Sequence, residues 1–213
     1  MKKAVVFDLD GTLLDTLEDL YLSVNYALEK LSYPLRTREE IRAFVGNGVA
    51  NLILRALPEN APDFEECLKI FKEHYSLHSE DHTAPYNKVI EMLDALNEKN
   101  IPCAVVSNKF DGAVKRLCEK YFGSRITFAL GERPDFARKP APDGVFIALD
   151  ELKVKKEDAL YVGDSEVDVL TAKNANIDCV CVLWGFRDKE ELVRAGGTTF
   201  AETVEELTKI ITE

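Results

Sequence analysis

The chain has 213 residues, of which 46% are hydrophobic, so it can bury one substantial core together with a smaller module. Its net charge of −11 argues against a nucleic-acid partner or an acidic membrane surface. The five cysteines show no C-x-x-C spacing, and the sequence has neither a leader-like nor a membrane-length apolar run. We therefore expect a reduced, cytoplasmic protein with no membrane contact.

The first predicted element is a short buried strand over residues 4–7, and two carboxylates follow it. Asp8 and Asp10 stand two residues apart, and Gly11 ends the strand in a turn. Open α/β sheets place their functional sites at the carboxyl ends of the strands, which is where these two residues lie. One carboxylate there can attack phosphorus as a nucleophile, and the other can act as an acid and a base. Taken alone, the run also fits a plain turn or a weak calcium loop.

Residues 15–83 show helical periodicity and no strand-like run. Thr37 and Glu40 form a capping box at the start of the second helix, and a glycine-rich break separates that helix from the third. The predicted helices cover residues 17–31, 37–44, 49–57 and 62–80. We predict an all-helical insertion over residues 15–83, in a core domain made of residues 1–14 and 84–213.

Alternation of strands and helices returns after the insertion, and polar groups follow the new strands. Ser107 and Asn108 come directly after the first of these strands, while Asp164 and Asp168 follow the third and stand one helical turn apart. Lys139 precedes a predicted helix start. The predicted strands cover residues 101–106, 126–130, 159–163 and 179–183.

In chain order these groups resemble the four motifs of the haloacid dehalogenase (HAD) superfamily of phosphohydrolases, and the resemblance spans nearly the whole chain. The motif residues are Asp8 with Asp10, Ser107, Lys139, and Asp164 with Asp168. The resemblance implies an α/β fold with a Rossmann-like, doubly wound parallel sheet of strand order 5-4-1-2-3, and it makes the insertion a C1-type helical cap. That order would set Asp164, Asp8 and Ser107 on three adjacent strands.

The resemblance also implies a role for each motif residue. Asp8 would attack phosphorus and form an aspartyl-phosphate, while Asp10 would protonate the leaving oxygen and then deprotonate water. Ser107 would donate a hydrogen bond to the phosphate, and Lys139, with Lys109 nearby, would attract it as a positive charge.

A Mg²⁺ cofactor is expected at the same place. Asp8, Asp164 and the backbone carbonyl of Asp10 form a set of oxygen ligands suited to this ion. Asp168 would either hold a metal-bound water or orient Lys139. All four acids are therefore predicted metal-site residues.

Two further groups are predicted to contact the substrate. Thr12 would hold the second carboxylate of the first motif through its hydroxyl, or serve as a plain turn residue, and Asn108 follows the second motif. In the insertion, the glycines of Gly46-Asn47-Gly48 allow close backbone approach, and N–H groups there could bind a substrate carboxylate. A plain helix–helix turn is the alternative. This stretch, with the second and fourth motifs, most resembles the phosphoglycolate phosphatases.

The expected function is Mg²⁺-dependent hydrolysis of a small phosphate monoester, with 2-phosphoglycolate as the best candidate. A pyrophosphatase, a nucleotidase or a β-phosphoglucomutase-like sugar phosphomutase remains an alternative, as does a phosphate-dependent binding module without turnover. The expected partner is a small phosphorylated metabolite, and both a monomer and a homodimer remain open. His74, His78 and His82 are spaced by four residues, as a metal-binding helix face would require, but the charged residues around them favour a solvated helix end. Trp184 is expected to pack at the sheet edge rather than border the site.

Overall fold

The computed structural model describes residues 2–213, which form two compact units. One unit contains the chain up to Leu14 and from Pro85 onward, and the other contains Asp15–Ala84. In chain order the elements are β1 (Ala4–Phe7), β2 (Leu14–Asp15), α1 (Leu17–Lys30), α2 (Arg38–Phe44), α3 (Gly48–Ala56), α4 (Phe64–His78), β3 (Ala84–Pro85), α5 (Val89–Glu98), β4 (Cys103–Phe110), α6 (Asp111–Phe122), β5 (Phe128–Glu132), α7 (Asp143–Leu152), β6 (Ala159–Gly163), α8 (Glu166–Ala175), β7 (Asp178–Val182), α9 (Lys189–Ala195), β8 (Phe200–Ala201) and α10 (Val204–Thr212).

Six strands of the described chain form one parallel sheet in the order β5-β4-β1-β6-β7-β8. The predicted Rossmann-like order of five strands is therefore confirmed. Strand β8 was not predicted, because its two residues are too few to show a strand pattern in the sequence. The short strands β2 and β3 pair with each other, at the two points where the chain passes between the units.

The central strand β1 is buried on both faces, as its continuous apolar run predicts. Val5 and Phe7 pack into one core with side chains of α5, α6 and α10. Ala4 and Val6 pack into a second core with side chains of α7 and α8. Because helices cover both faces of the sheet, its carboxyl edge is where polar side chains can gather.

The helical unit contains α1 to α4 and follows the predicted helices. Thr37 begins α2 with the predicted capping box: Glu40 N donates to Thr37 Oγ1 at 3.2 Å, and Thr37 N donates to Glu40 Oε2 at 2.7 Å. The predicted break separates Phe44, the end of α2, from Gly48, the start of α3. Gly46 and Gly48 have φ angles of +119° and +76°, which residues with a side chain rarely adopt, so the break depends on glycine.

A buried carboxylate ties the end of the helical unit to its first helix. Asp19 accepts hydrogen bonds from the backbone N–H of His82 at 2.9 Å, from the backbone N–H of Thr83 at 2.9 Å and from Thr83 Oγ1 at 2.8 Å. Helix α4 ends at His78, so His82 lies beyond it and the three histidines share no helix face. The His74 ring stacks on the His78 ring instead, with 4.3 Å between centroids.

Candidate active site

The residues of the four motifs meet at the carboxyl edge of the sheet. Because β1 lies between β4 and β6, Asp8, Ser107 and Asp164 stand on or directly after three adjacent strands. These three side chains and Lys139 are all buried, with no residue more than 8% exposed. The structure thus brings together the predicted catalytic residues, whose individual roles remain predictions.

Lys139 lies between two carboxylates. Its Nζ atom is 2.8 Å from Asp8 Oδ1 and 2.8 Å from Asp168 Oδ1, and it also donates to the Tyr161 hydroxyl at 3.1 Å. Asp168 in turn accepts hydrogen bonds from the Tyr161 hydroxyl at 3.0 Å and from Ser165 Oγ at 2.6 Å. Both carboxylate oxygens of Asp168 thus accept hydrogen bonds within the protein, which favours the predicted role of orienting Lys139 over the predicted alternative of holding a metal-bound water.

The charges of this cluster shift the pKa values of its members. Burial raises the pKa of Asp8 to about 7, although the Lys139 charge opposes the shift. Burial, followed by the charges of Asp168 and Asp8, raises the pKa of Asp164 well above its usual range. For Lys139 and Asp168, burial disfavours the charged form, but their mutual attraction outweighs it, so the lysine pKa is raised and the aspartate pKa is lowered. Asp8 and Asp164 therefore hold a proton more readily than a free aspartate does.

Asp164 is oriented by two hydrogen bonds that sequence reasoning did not identify. Thr12 Oγ1 donates to Asp164 Oδ1 at 3.1 Å, and the Phe186 backbone N–H donates to Asp164 Oδ2 at 2.7 Å. The prediction that Thr12 holds Asp10 is therefore wrong. Its hydroxyl points to the carboxylate of the neighbouring strand end, and the predicted contact between Thr12 and substrate remains a prediction.

Three glycines pack directly against the acids. A Cβ atom added at Gly11 or at Gly185 would collide with the Asp164 side chain, and one added at Gly163 would collide with Asp168. Gly11 also has a φ angle of +84°, in the region that glycine favours. The close backbone approach holds the two carboxylates in place without a flexible side chain between them. The sequence indicated a turn at Gly11, but not the contacts of these glycines with the acids.

Asp10 makes an ion pair that was not predicted. Lys109 Nζ donates to Asp10 Oδ1 at 3.0 Å and to Oδ2 at 3.2 Å. Asn108, a predicted substrate contact, donates from Nδ2 to the backbone carbonyl of Lys139 at 3.0 Å, and so links the second and third motifs. The sequence analysis expected Lys109 to help attract the phosphate, but no local pattern in the sequence indicated its contact with Asp10.

The donor set fits a divalent cation. Carboxylate oxygens of Asp8, Asp164 and Asp168 lie within 4.8 Å of one another. The buried Oδ1 atom of Asp8 lies 2.8 Å from Lys139 Nζ. Together with Asp10, the site holds four carboxyl groups against the two ammonium groups of Lys109 and Lys139, a formal excess of two negative charges when all four acids are ionised. One divalent cation would balance this excess, and hard oxygen ligands suit Mg²⁺.

The loop after β7 also reaches the site. Trp184 Nε1 donates to the backbone carbonyl of Thr12 at 3.1 Å, and two residues later Phe186 bonds Asp164. The Trp184 ring packs against the hydrophobic core that contains Phe7, and its hydrogen bond also links it to the loop of the first motif. Its predicted place at the sheet edge remains a prediction. Gly46, Asn47 and Gly48 belong to the helical unit, and their predicted contact with the substrate remains a prediction.

Comparison with known proteins identifies the family. The model of the haloacid dehalogenase-like hydrolases matches residues 5–182. The chain belongs to this family. A phosphoglycolate phosphatase of Vibrio parahaemolyticus serotype O3:K6 is 30% identical over 218 residues, covering 98% of this chain and 96% of that protein. The crystal structure of a candidate phosphoglycolate phosphatase from Lactobacillus delbrueckii subsp. bulgaricus is 35% identical, covers 99% of each chain and has a TM-score of 0.94.

A second similar structure is that of CbbY from Rhodobacter sphaeroides in complex with phosphate, which is 25% identical, has a TM-score of 0.79 and aligns over 97% of this chain and 96% of the CbbY chain. The predicted family, fold and enzyme class are confirmed: the chain is a phosphoric monoester hydrolase of the HAD-like family. In the part of the chain that the structure describes, no helix is both long enough and apolar enough to span a membrane.

Proposed function

We propose that the protein hydrolyses 2-phosphoglycolate with the help of Mg²⁺, through an aspartyl-phosphate on Asp8. The observation that supports this most directly is the setting of Asp8, whose buried carboxylate lies 2.8 Å from the Lys139 ammonium at the carboxyl edge of the sheet. The ammonium holds this carboxylate in position and can attract the phosphate group towards it, so Asp8 is suited to attack phosphorus.

The first step would transfer the phosphoryl group to the protein. A carboxylate oxygen of Asp8 forms a bond to phosphorus while the bond between phosphorus and the ester oxygen breaks, and Asp10 gives its proton to the departing alkoxide oxygen. Lys139 and the Ser107 hydroxyl hold the phosphoryl oxygens during this transfer. The products of this step are the free alcohol and an acyl phosphate.

The second step would regenerate the enzyme. Asp10, now a carboxylate, takes a proton from a water molecule whose oxygen attacks phosphorus, and the bond between phosphorus and Asp8 breaks. Inorganic phosphate leaves and both aspartates return to their initial states. A Mg²⁺ ion held by Asp8, Asp164 and the Asp10 carbonyl would neutralise negative charge on the phosphoryl oxygens.

The choice of 2-phosphoglycolate rests on the relatives. The Vibrio protein is a phosphoglycolate phosphatase and is aligned over nearly its whole length. Further phosphoglycolate phosphatases, from Aquifex aeolicus and Chromobacterium violaceum among others, are 30% and 32% identical.

The test is phosphate release from 2-phosphoglycolate, pyrophosphate, nucleoside monophosphates and sugar phosphates, with and without Mg²⁺. We expect Mg²⁺-dependent turnover of 2-phosphoglycolate that Asp8→Asn abolishes. Asp158→Asn is the matched control, because Asp158 forms a surface ion pair with Lys3 at 2.9 Å. Turnover of pyrophosphate or nucleotides in preference would contradict the substrate, and activity that survives Asp8→Asn would contradict the mechanism.

A further inference from the structure

A buried lysine of the site has no part in the steps described above. Lys109 lies in β4, two residues after Ser107, in a segment where the pairing of β4 with β5 is irregular. Its side chain is only 5% exposed, and its ammonium group contacts both oxygens of Asp10. A buried cation is therefore fixed beside the carboxylate that would protonate the leaving group.

This position matches the chemistry of the proposed leaving group. Asp10 must come within hydrogen-bond distance, about 2.7 Å, of the ester oxygen that it protonates. In 2-phosphoglycolate one methylene joins that oxygen to the carboxylate carbon, so the carboxylate oxygens lie about 2.7 to 3.6 Å from the ester oxygen, given C–C and C–O bonds of about 1.2 to 1.5 Å. A substrate carboxylate would thus come close to the Asp10 carboxyl and to the Lys109 ammonium next to it.

A second carboxylate in this place needs a positive charge. Without one, it would meet Asp10 and the acids of the metal site at close range, and like charges that are shielded from water repel strongly. Lys139 already lies between Asp8 and Asp168, at 2.8 Å from each. Lys109 is the lysine on the leaving-group side of this arrangement, because it contacts Asp10.

We propose that Lys109 determines substrate specificity: its ammonium binds a carboxylate attached to the carbon that bears the ester oxygen, and so selects phosphate esters of 2-hydroxycarboxylates. This inference rests on the proposed function. It assigns to Lys109 a contact with the substrate, in addition to the contact with Asp10. Esters with an uncharged group in the same place would lack this interaction.

The experiment compares two substrates in each variant. We would measure kcat/KM for 2-phosphoglycolate and for ethyl phosphate, which lacks the carboxylate, in the wild type, Lys109→Met, Lys109→Gln and Lys109→Arg. The readout is the specificity ratio, which is kcat/KM for 2-phosphoglycolate divided by kcat/KM for ethyl phosphate. Within one preparation this ratio does not depend on how much of the protein is folded. Lys115→Met is the matched control, because Lys115 pairs with Asp111 at the surface of α6 at 2.7 Å.

We expect Lys109→Met and Lys109→Gln to lower this ratio about 10- to 100-fold, the effect of one hydrogen bond to a charged group. The loss should be mainly in KM for 2-phosphoglycolate. Lys109→Arg should keep part of the preference, and Lys115→Met should keep all of it.

An equal loss on both substrates would overturn the proposal, since Lys109 would then act only through Asp10. An unchanged ratio with unchanged activity would overturn it as well. If the wild type does not turn over 2-phosphoglycolate, the proposed function itself has failed. If the wild type is active and the ratio is the same in the Lys109 variants, only the proposed role of Lys109 has failed.

Discussion

Tyr161→Phe tests whether the buried network around Lys139 positions that lysine. The change removes one oxygen atom and leaves the ring, so the packing of this fully buried side chain is retained. Two hydrogen bonds are lost, one from Lys139 Nζ at 3.1 Å and one to Asp168 Oδ1 at 3.0 Å. Lys139 and Asp168 keep their direct contact at 2.8 Å, so neither charge is left without a partner.

The magnitude follows from these contacts. A hydrogen bond to a charged group contributes about 1.5–3 kcal/mol, but the surviving ion pair compensates part of the loss, so we expect the free energy of unfolding to fall by about 2 kcal/mol. For a chain of this length that is a decrease of about 4–8 °C in Tm. A less firmly held Lys139 should lower kcat/KM about tenfold, which corresponds to about 1.4 kcal/mol.

Thermal unfolding and phosphate-release kinetics would be measured side by side. Tyr33→Phe is the matched control, because the Tyr33 hydroxyl also donates to an aspartate, Asp63, at 2.7 Å, but at an exposed site. Solvent replaces that bond, so the control should change stability by less than about 1 kcal/mol. If Tyr161→Phe has the same Tm and the same kcat/KM as the wild type, the hydrogen bonds of the Tyr161 hydroxyl do not hold Lys139 in position.

Three other predictions concern the metal site. Mg²⁺ at about 100 times its Kd should stabilise the wild type by about 2.7 kcal/mol, reversibly with a chelator, and Asp164→Asn should remove this effect in a thermal-shift titration. Gly185→Ala should likewise abolish the Mg²⁺-induced shift in Tm, because the added methyl group displaces the Asp164 side chain. In the control Gly112→Ala the methyl group meets the exposed Phe110 ring, so the shift in Tm should remain. A normal shift in Gly185→Ala would contradict the packing described above. In metal-free protein the pKa of Asp8 is raised from 3.8 to about 7, so the folded state binds the extra proton and stability should fall as pH rises from about 4 through about 7. The stability of the wild type relative to Asp8→Asn would show this decline, and a flat difference across that range would refute it.

Local patterns in the sequence were sufficient to predict much of the fold. The apolar runs of β1, β4, β6 and β7 identified the strands, because a strand buried on both faces must be apolar throughout. The Thr37 capping box and the break at Gly46 were readable for the same reason, since each depends on residues within a few positions of one another. The motif acids could be located because they directly follow those strands.

Which side chains of the site form hydrogen bonds with one another was decided by the tertiary structure. Thr12 bonds Asp164, 152 residues away, and Lys109 bonds Asp10, 99 residues away. No local pattern relates such pairs, because their distance depends on which strands are neighbours and how each loop leaves the sheet. The same holds for Trp184, which bonds a carbonyl 172 residues away. The sequence by itself therefore determined which chemical groups lie at the carboxyl edge of the sheet, through its strands and the residues that follow them. Only the packing of the strands and loops decided which of these groups touch, because side-chain contacts over such separations exist only once the sheet has formed.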